Sequence, residues 1–124
     1  MAQGRNEDFK DRDEDLLRAA RSAPEGDMRA FEQLVELHRR RILADCQCLT
    51  GGDNDSEDLA QEVFVKAFFG LRGFEGRSTF RHWLQRVKVN HCLNHLKRRG
   101  DREAIAIGEE SAETLEKLQV APAA

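Results

Sequence analysis

Between Phe80 and Arg99, side chains able to grip another molecule recur at intervals of three and four: Trp83, Arg86, Asn90, Asn94 and Lys97. Residues so spaced share one face of a helix. One flat aromatic, one guanidinium, two amides and one ammonium suit nucleic acid. Indole stacks on a base, amides read base edges, and cations hold phosphates. Read alone, such a stripe is a solvated helix face. The basic run Lys97, Arg98, Arg99 and the arginines just upstream tip it toward DNA or RNA.

Those arginines lie in a loop where Gly70, Gly73 and Gly76 alternate with Arg72, Phe74, Glu75 and Arg77. Glycine lets the backbone turn tightly, and an aromatic between arginines fits a flexible binding loop. Ser78 or Thr79 follows in position to cap the next helix. Ahead of the loop, Asp55, Glu57 and Asp58 precede an apolar run; Asp55 or Ser56 can cap a helix there, and the carboxylates oppose its positive dipole end. Leu59, Val63, Ala67 and Leu71, with Ala60, Phe64 and Phe68 beside them, give that helix one broad buried face. Asp58, Gln61, Glu62, Val65, Lys66 and Phe69 fall on the remaining surface, where Val65 and Phe69 are apolar at positions a solvated face would keep polar.

The remaining reactive side chains point nowhere specific. Cys46 and Cys48, two apart on a helix, face nearly opposite sides and cannot chelate together. His91 and His95 have the spacing of a zinc-protease helix, but that motif needs glutamate directly after the first histidine and Cys92 stands there. Cys46 and Cys92 read as small packing residues, since free cysteine buries readily. Three cysteines without a secretion signal argue against a disulfide framework. No glycine-rich phosphate loop follows a strand, and no nucleophile has a base and an orienter near it. The expectation is a non-enzyme with no catalytic residue, no metal site and no cofactor.

The elements that must position the stripe are helical. In 124 residues the chain has no tyrosine and no sustained apolar–polar alternation, so the expected fold is an all-α small helical bundle forming one domain. A short helix is expected over 14–22, ended by Pro24, Glu25 and Gly26. Longer ones follow near 27–49, capped by Asp27, then near 55–71 and 79–99. Residues 1–13 read as a frayed tail, 14–102 as the domain, and the acidic, small-residue-rich 103–124 as a disordered or weakly docked linker. No stretch is long and apolar enough to span a membrane and the N-terminus lacks a signal-peptide core, which predicts a cytoplasmic protein without membrane insertion. Net charge is −3, yet from Arg72 to Arg102 the only acids are Glu75 and Asp101. Local sign asymmetry of this kind decides partners better than the total does.

DSEDLAQEVFVKAFFGLRGF followed by STFRHWLQRVKVNHCLNHLKRR closely resembles region 2 of extracytoplasmic-function (ECF) sigma factors of the sigma-70 family. The acidic entry, QEVF, the aromatic loop and FRxWL occur in order, and the resemblance runs from about Leu16 to Arg102. It implies a region 2 bundle with a helix-loop-helix DNA-reading hairpin, and a transcription-initiation role: binding core RNA polymerase, then recognising and melting the promoter −10 element by capturing its non-template strand. Core polymerase, through the clamp helices of its largest subunit, would meet Asp58, Gln61, Glu62, Val65, Lys66 and Phe69. The DNA-binding set would be Arg72, Phe74, Arg77, Ser78, Thr79, Arg81, Trp83, Arg86, Asn90, Asn94, Lys97 and Arg98, with the loop from Arg72 to Thr79 receiving a flipped base. An anti-sigma factor is a further implied partner.

The sequence departs from the family pattern at Lys88, where a small residue is common, at Phe69, where a polar one is frequent, and at His91 and His95. In the family a −35-binding region 4 domain follows. Its absence fits either a truncated chain or a region-2-only protein, with the start methionine and the Ala-Pro-Ala-Ala end favouring truncation. Two other readings remain at this point: a helical interaction module that binds a regulator without DNA contact, and a thiol or zinc sensor. The core should hold Leu59, Val63, Phe64, Ala67, Phe80, Leu84 and Val87. Leu84→Ala should then cost roughly 2–5 kcal/mol in chemical denaturation, and a loss below about 1 kcal/mol would mean that Leu84 faces solvent.

Overall fold

The computed structural model describes residues 13–52 and 54–120, the side chains of 118–120 excepted. The described residues form a helical stretch over 13–22 (α1), then α2 (Arg29–Thr50), α3 (Ser56–Gly70), a 3-10 turn (Leu71–Gly73), α4 (Phe80–Arg99) and α5 (Arg102–Val120). The all-helical expectation holds, with the three main helices within two residues of their expected places. The tail expected over residues 1–12 lies outside the described residues. Asp13 does not belong to a tail: it is helical, buried, and bound through Oδ1 to His38 Nε2 at 2.8 Å.

Local chemistry sets the boundaries. Met28, not Asp27, occupies the N-cap of α2. Asp27 acts from one residue further out, accepting from the Arg29 N–H at 3.2 Å and from its guanidinium at 2.9 Å. Those hydrogen bonds from Arg29 hold the Asp27 carboxyl down to about 2. At the far end Gly51 adopts the left-handed conformation at φ 69°, and the Gly52 N–H returns to Gln47 O at 2.8 Å. A side chain would be strained there.

α2, α3 and α4 pack mutually. Thr50 meets Ser56 at one end of the α2–α3 pair and Phe31 meets Phe68 at the other, so these two helices are antiparallel. α4 runs parallel to α2, as the sequential contacts His38–Phe80, Asp45–Lys88 and Cys46–Cys92 require. Leu59, Val63, Ala67, Phe80 and Leu84 are buried as expected, while Phe64 and Val87 lie at the edge of the core, packed against it.

Two features depart from the sequence reading. Residues 103–117, expected to be disordered or weakly docked, belong to a helix that packs on both α2 and α4. The contact is made close by Gly108: a Cβ there would come within 2.7 Å of Leu96 Cδ1 and 3.1 Å of the Leu49 carbonyl. Leu115 is buried further along the same helix, with Ala112 against the core. Small residues at helical spacing mark a close-packing face, and read as low hydrophobicity they concealed it.

The second is Lys88, only 2% exposed. Its ammonium donates to Asp45 Oδ2 on α2 and to Gln85 Oε1 one turn back. Burial pushes the Lys88 pKa below its ordinary 10.5, against the opposing pull of Asp45. Between that depressed value and 10.5 the unfolded chain holds more protons than the folded one, so stability rises with pH through this window. Asp45→Ala leaves the buried ammonium without its counter-ion and should cost about 3–5 kcal/mol near neutrality. The deficit should shrink toward alkaline pH in denaturation curves; an equal deficit at all pH values would mean that Lys88 carries no buried charge.

Candidate nucleic-acid and protein interfaces

Thr79 starts α4, its Oγ1 accepting from the His82 N–H at 3.1 Å. Because Phe80, Leu84, Lys88, His91 and Cys92 turn inward, the opposite face of the helix is left outside. Arg86, Asn90, Asn94, Lys97 and Arg98 are all exposed there. Trp83 is only half-exposed: its ring lies 5.3 Å from Phe74 and 5.8 Å from Phe80. It heads the stripe as expected, yet much of its surface is spent on packing.

The loop ahead of α4 is more ordered in purpose than its glycines imply. Phe74, expected as a displayed binding aromatic, is only 6% exposed and packs into the core against Phe80 and Trp83. It anchors the loop instead. Arg72 and Arg77 stay exposed, Arg77 pairing with Glu75 at 3.1 Å, while Ser78 and Arg81 are half-buried. Such an exposed pair contributes little to stability, so both arginines remain usable. Phe74, Gly76, Ser78, Thr79, Phe80 and Arg81 line a cavity of about 370 Å³. Its other wall, which the sequence did not reveal, comes from Asp13, Glu14, Leu17 and Arg21 of α1. Aromatic rings, two hydroxyls and two guanidiniums can hold a flat polar ring such as a nucleobase.

On α3 the six outward residues Asp58, Gln61, Glu62, Val65, Lys66 and Phe69 are all exposed, Phe69 at 75%. Phe68, expected in the core, is exposed too. Its ring sits edge-on to Phe31 at 5.2 Å and to Phe69 at 5.4 Å, extending an apolar patch beyond what periodicity indicated. Glu62 has a second engagement, its Oε2 lying 2.6 Å from Nε2 of the buried His91. His91 therefore belongs to the α3–α4 contact.

Cys46 and Cys92 are fully buried, with the Cys92 thiol donating to Cys46 Sγ at 3.5 Å, and Cys48 points outward. That donation keeps the proton on Cys92, raising its pKa and lowering that of Cys46. Among the described residues no three His, Cys, Asp or Glu side chains converge as a metal site, and no helix is long and apolar enough to cross a membrane.

These elements make an all-helical domain with a polar, basic face on α4 and an apolar patch on α3. The chain belongs to the Sigma-70 region 2 family, whose model matches residues 34–102. Among its curated relatives, the ECF RNA polymerase sigma factor SigG of Mycobacterium tuberculosis is 42% identical over 69 residues, covering 56% of this chain and 19% of that protein. The RNA polymerase sigma-H factor of Pseudomonas aeruginosa is 40% identical over 77 residues, 62% of this chain and 40% of that one. The chain thus spans less than half the length of these relatives. Among solved structures it resembles an engineered region 2 of sigmaE in complex with GTAAAA, with a TM-score of 0.63 and 30% identity over 73% of this chain and 90% of that one.

One close approach fixes the head of the stripe. A Cβ on Gly70 would lie 2.9 Å from Trp83 Cζ2 and 3.3 Å from Cη2. Gly70→Ala must push the indole off Phe74 and Phe80, at a cost of about 1–3 kcal/mol as overpacking. Trp83 is the only tryptophan, so its fluorescence maximum should move to the red. An unchanged spectrum together with unchanged stability would mean that the ring is not held against Gly70.

Proposed function

We propose that this chain is the domain of an ECF sigma factor that binds core RNA polymerase and reads and melts the promoter −10 element. The observation that carries this reading is the exposed row Arg86, Asn90, Asn94 and Lys97 on α4, leading from Trp83 beside the loop cavity. Membership of the family and the likeness to a region 2 in complex with GTAAAA support it.

In mechanism, Arg86, Lys97 and Arg98 hold phosphates of the non-template strand, and Asn90 and Asn94 present amides to base edges. One base leaves the stack and enters the cavity under the Arg72–Thr79 loop, where Ser78, Thr79 and Arg81 can hydrogen-bond it. Extruding a base costs a few kcal/mol of stacking and pairing, which the cavity and the phosphate contacts offset. Phe74 and Phe80 hold the loop open as a preformed receptor. Ordering cost is then spent in folding rather than in binding.

The second surface is the outward side of α3. Asp58, Gln61, Glu62 and Lys66 around the apolar Val65, Phe68 and Phe69 suit a docked protein helix, which we assign to the clamp helices of the polymerase largest subunit. An anti-sigma factor would act by covering one of these surfaces, and the site of action is the cytoplasm.

The isolated chain should prefer single-stranded −10 DNA to duplex. Arg98→Ala should weaken every sequence alike and flatten the salt dependence, as a phosphate contact does. Asn90→Ala should instead lose discrimination at one promoter position, worth about 1–3 kcal/mol. Fluorescence anisotropy with labelled oligonucleotides separates the two, and a uniform loss in Asn90→Ala or a preference for duplex would remove base reading from α4.

A further inference from the structure

The loop cavity is closed on one side by α1, which precedes the family-matched residues 34–102. We propose that Glu14 on this wall is a specificity-determining residue: it selects a base bearing an exocyclic amino group and rejects thymine. This rests on the cavity receiving an unstacked base.

α1 is held in place independently of any ligand. Asp13, 4% exposed, is bound to His38 at 2.8 Å, and the His38 ring lies edge-on to Phe80 at 5.7 Å. That chain of contacts ties the first described turn of α1 to the aromatic floor of the cavity. Leu17 is buried one turn on and adds an apolar anchor. Glu14, between them in sequence, lines the cavity but is exposed, and it forms no ion pair among the described residues.

A carboxylate without an ion pair among the described residues is unexpected beside a path for phosphates, which it repels; the other acid of the wall, Asp13, is engaged by His38. Arg21 on the α1 wall and Arg81 on the opposite one bring positive charge to the cavity for a phosphate, which leaves Glu14 a use toward a base. An ionised carboxylate only accepts hydrogen bonds. Adenine and cytosine offer an amino group, and guanine an amino group beside a ring N–H. Thymine offers one ring N–H flanked by two carbonyl oxygens, which a carboxylate opposes. Glutamine in the same place both donates and accepts, and so admits thymine.

The test uses the full 124-residue chain and a pool of single-stranded DNA with a randomised six-nucleotide window, bound, washed and sequenced. Wild type should deplete thymine about tenfold at one position of the window, the size expected from one lost specific contact. Glu14→Gln should restore thymine at that position alone, and Glu14→Ala should level all four bases there. Thermal melts should be unchanged, because the side chain is exposed. Enrichment at some position with identical wild-type and variant profiles would overturn the role of Glu14 and leave base capture standing, and so would thymine preferred in wild type and in both variants. Failure to retain or enrich any sequence would overturn base reading itself, and the selection by Glu14 with it.

Discussion

A buried charge pair governs how α4 can sit. Lys88 on α4 and Asp45 on α2 meet where solvent is excluded, with the Gln85 amide oxygen as the second acceptor and Arg41 Nε reaching Asp45 from outside at 3.6 Å. An ammonium stripped of water has few tolerable positions, because without its counter-ion it stays buried and uncompensated. Sliding or rotating α4 against α2 would part the charges while both remain buried. Holding Lys88 inward leaves Arg86, Asn90, Asn94 and Lys97 with only one side to occupy, the side facing solvent. The outward chemistry of the helix is thus set from within.

The two surfaces are mechanically connected through α3. Glu62 belongs to its exposed side and yet holds the buried His91 of α4, while Gly70 at its end receives Trp83. A protein seated on α3, as proposed above, would therefore touch a residue that also braces α4. Glu62–His91 at mid-helix and Gly70–Trp83 at the end of α3 fix the two helices against each other at two specific points.

Much of this was legible in the sequence, and the reasons are particular. Period and capping placed α3 and α4, because Leu59, Val63 and Ala67 repeat at helical spacing and Thr79 stands before Phe80. The stripe on α4 and the exposed side of α3 followed from angle alone. Missed were contacts that depend on what lies opposite. Phe74 was read by its neighbours in the chain, two arginines and three glycines, while its place is decided by Phe80 and Trp83. Period alone turns Phe68 inward, yet its ring stays exposed, edge-on to Phe31 of α2. α5 was read as a linker because its docking face is built of small residues, whose contribution is proximity rather than area. The α1 wall of the cavity had no local signal at all, since His38 lies far along the chain from Asp13.

The fit of Trp83 against Gly70 also constrains how such a chain can diverge. Neither position drifts without cost: a side chain at 70 favours a smaller ring at 83, and an indole at 83 favours glycine at 70. One of the two belongs to α3, the proposed protein-docking helix, and the other to α4, the proposed nucleic-acid helix. A lineage that changes position 83 therefore carries a silent obligation on the neighbouring helix, and the two columns of an alignment should change together.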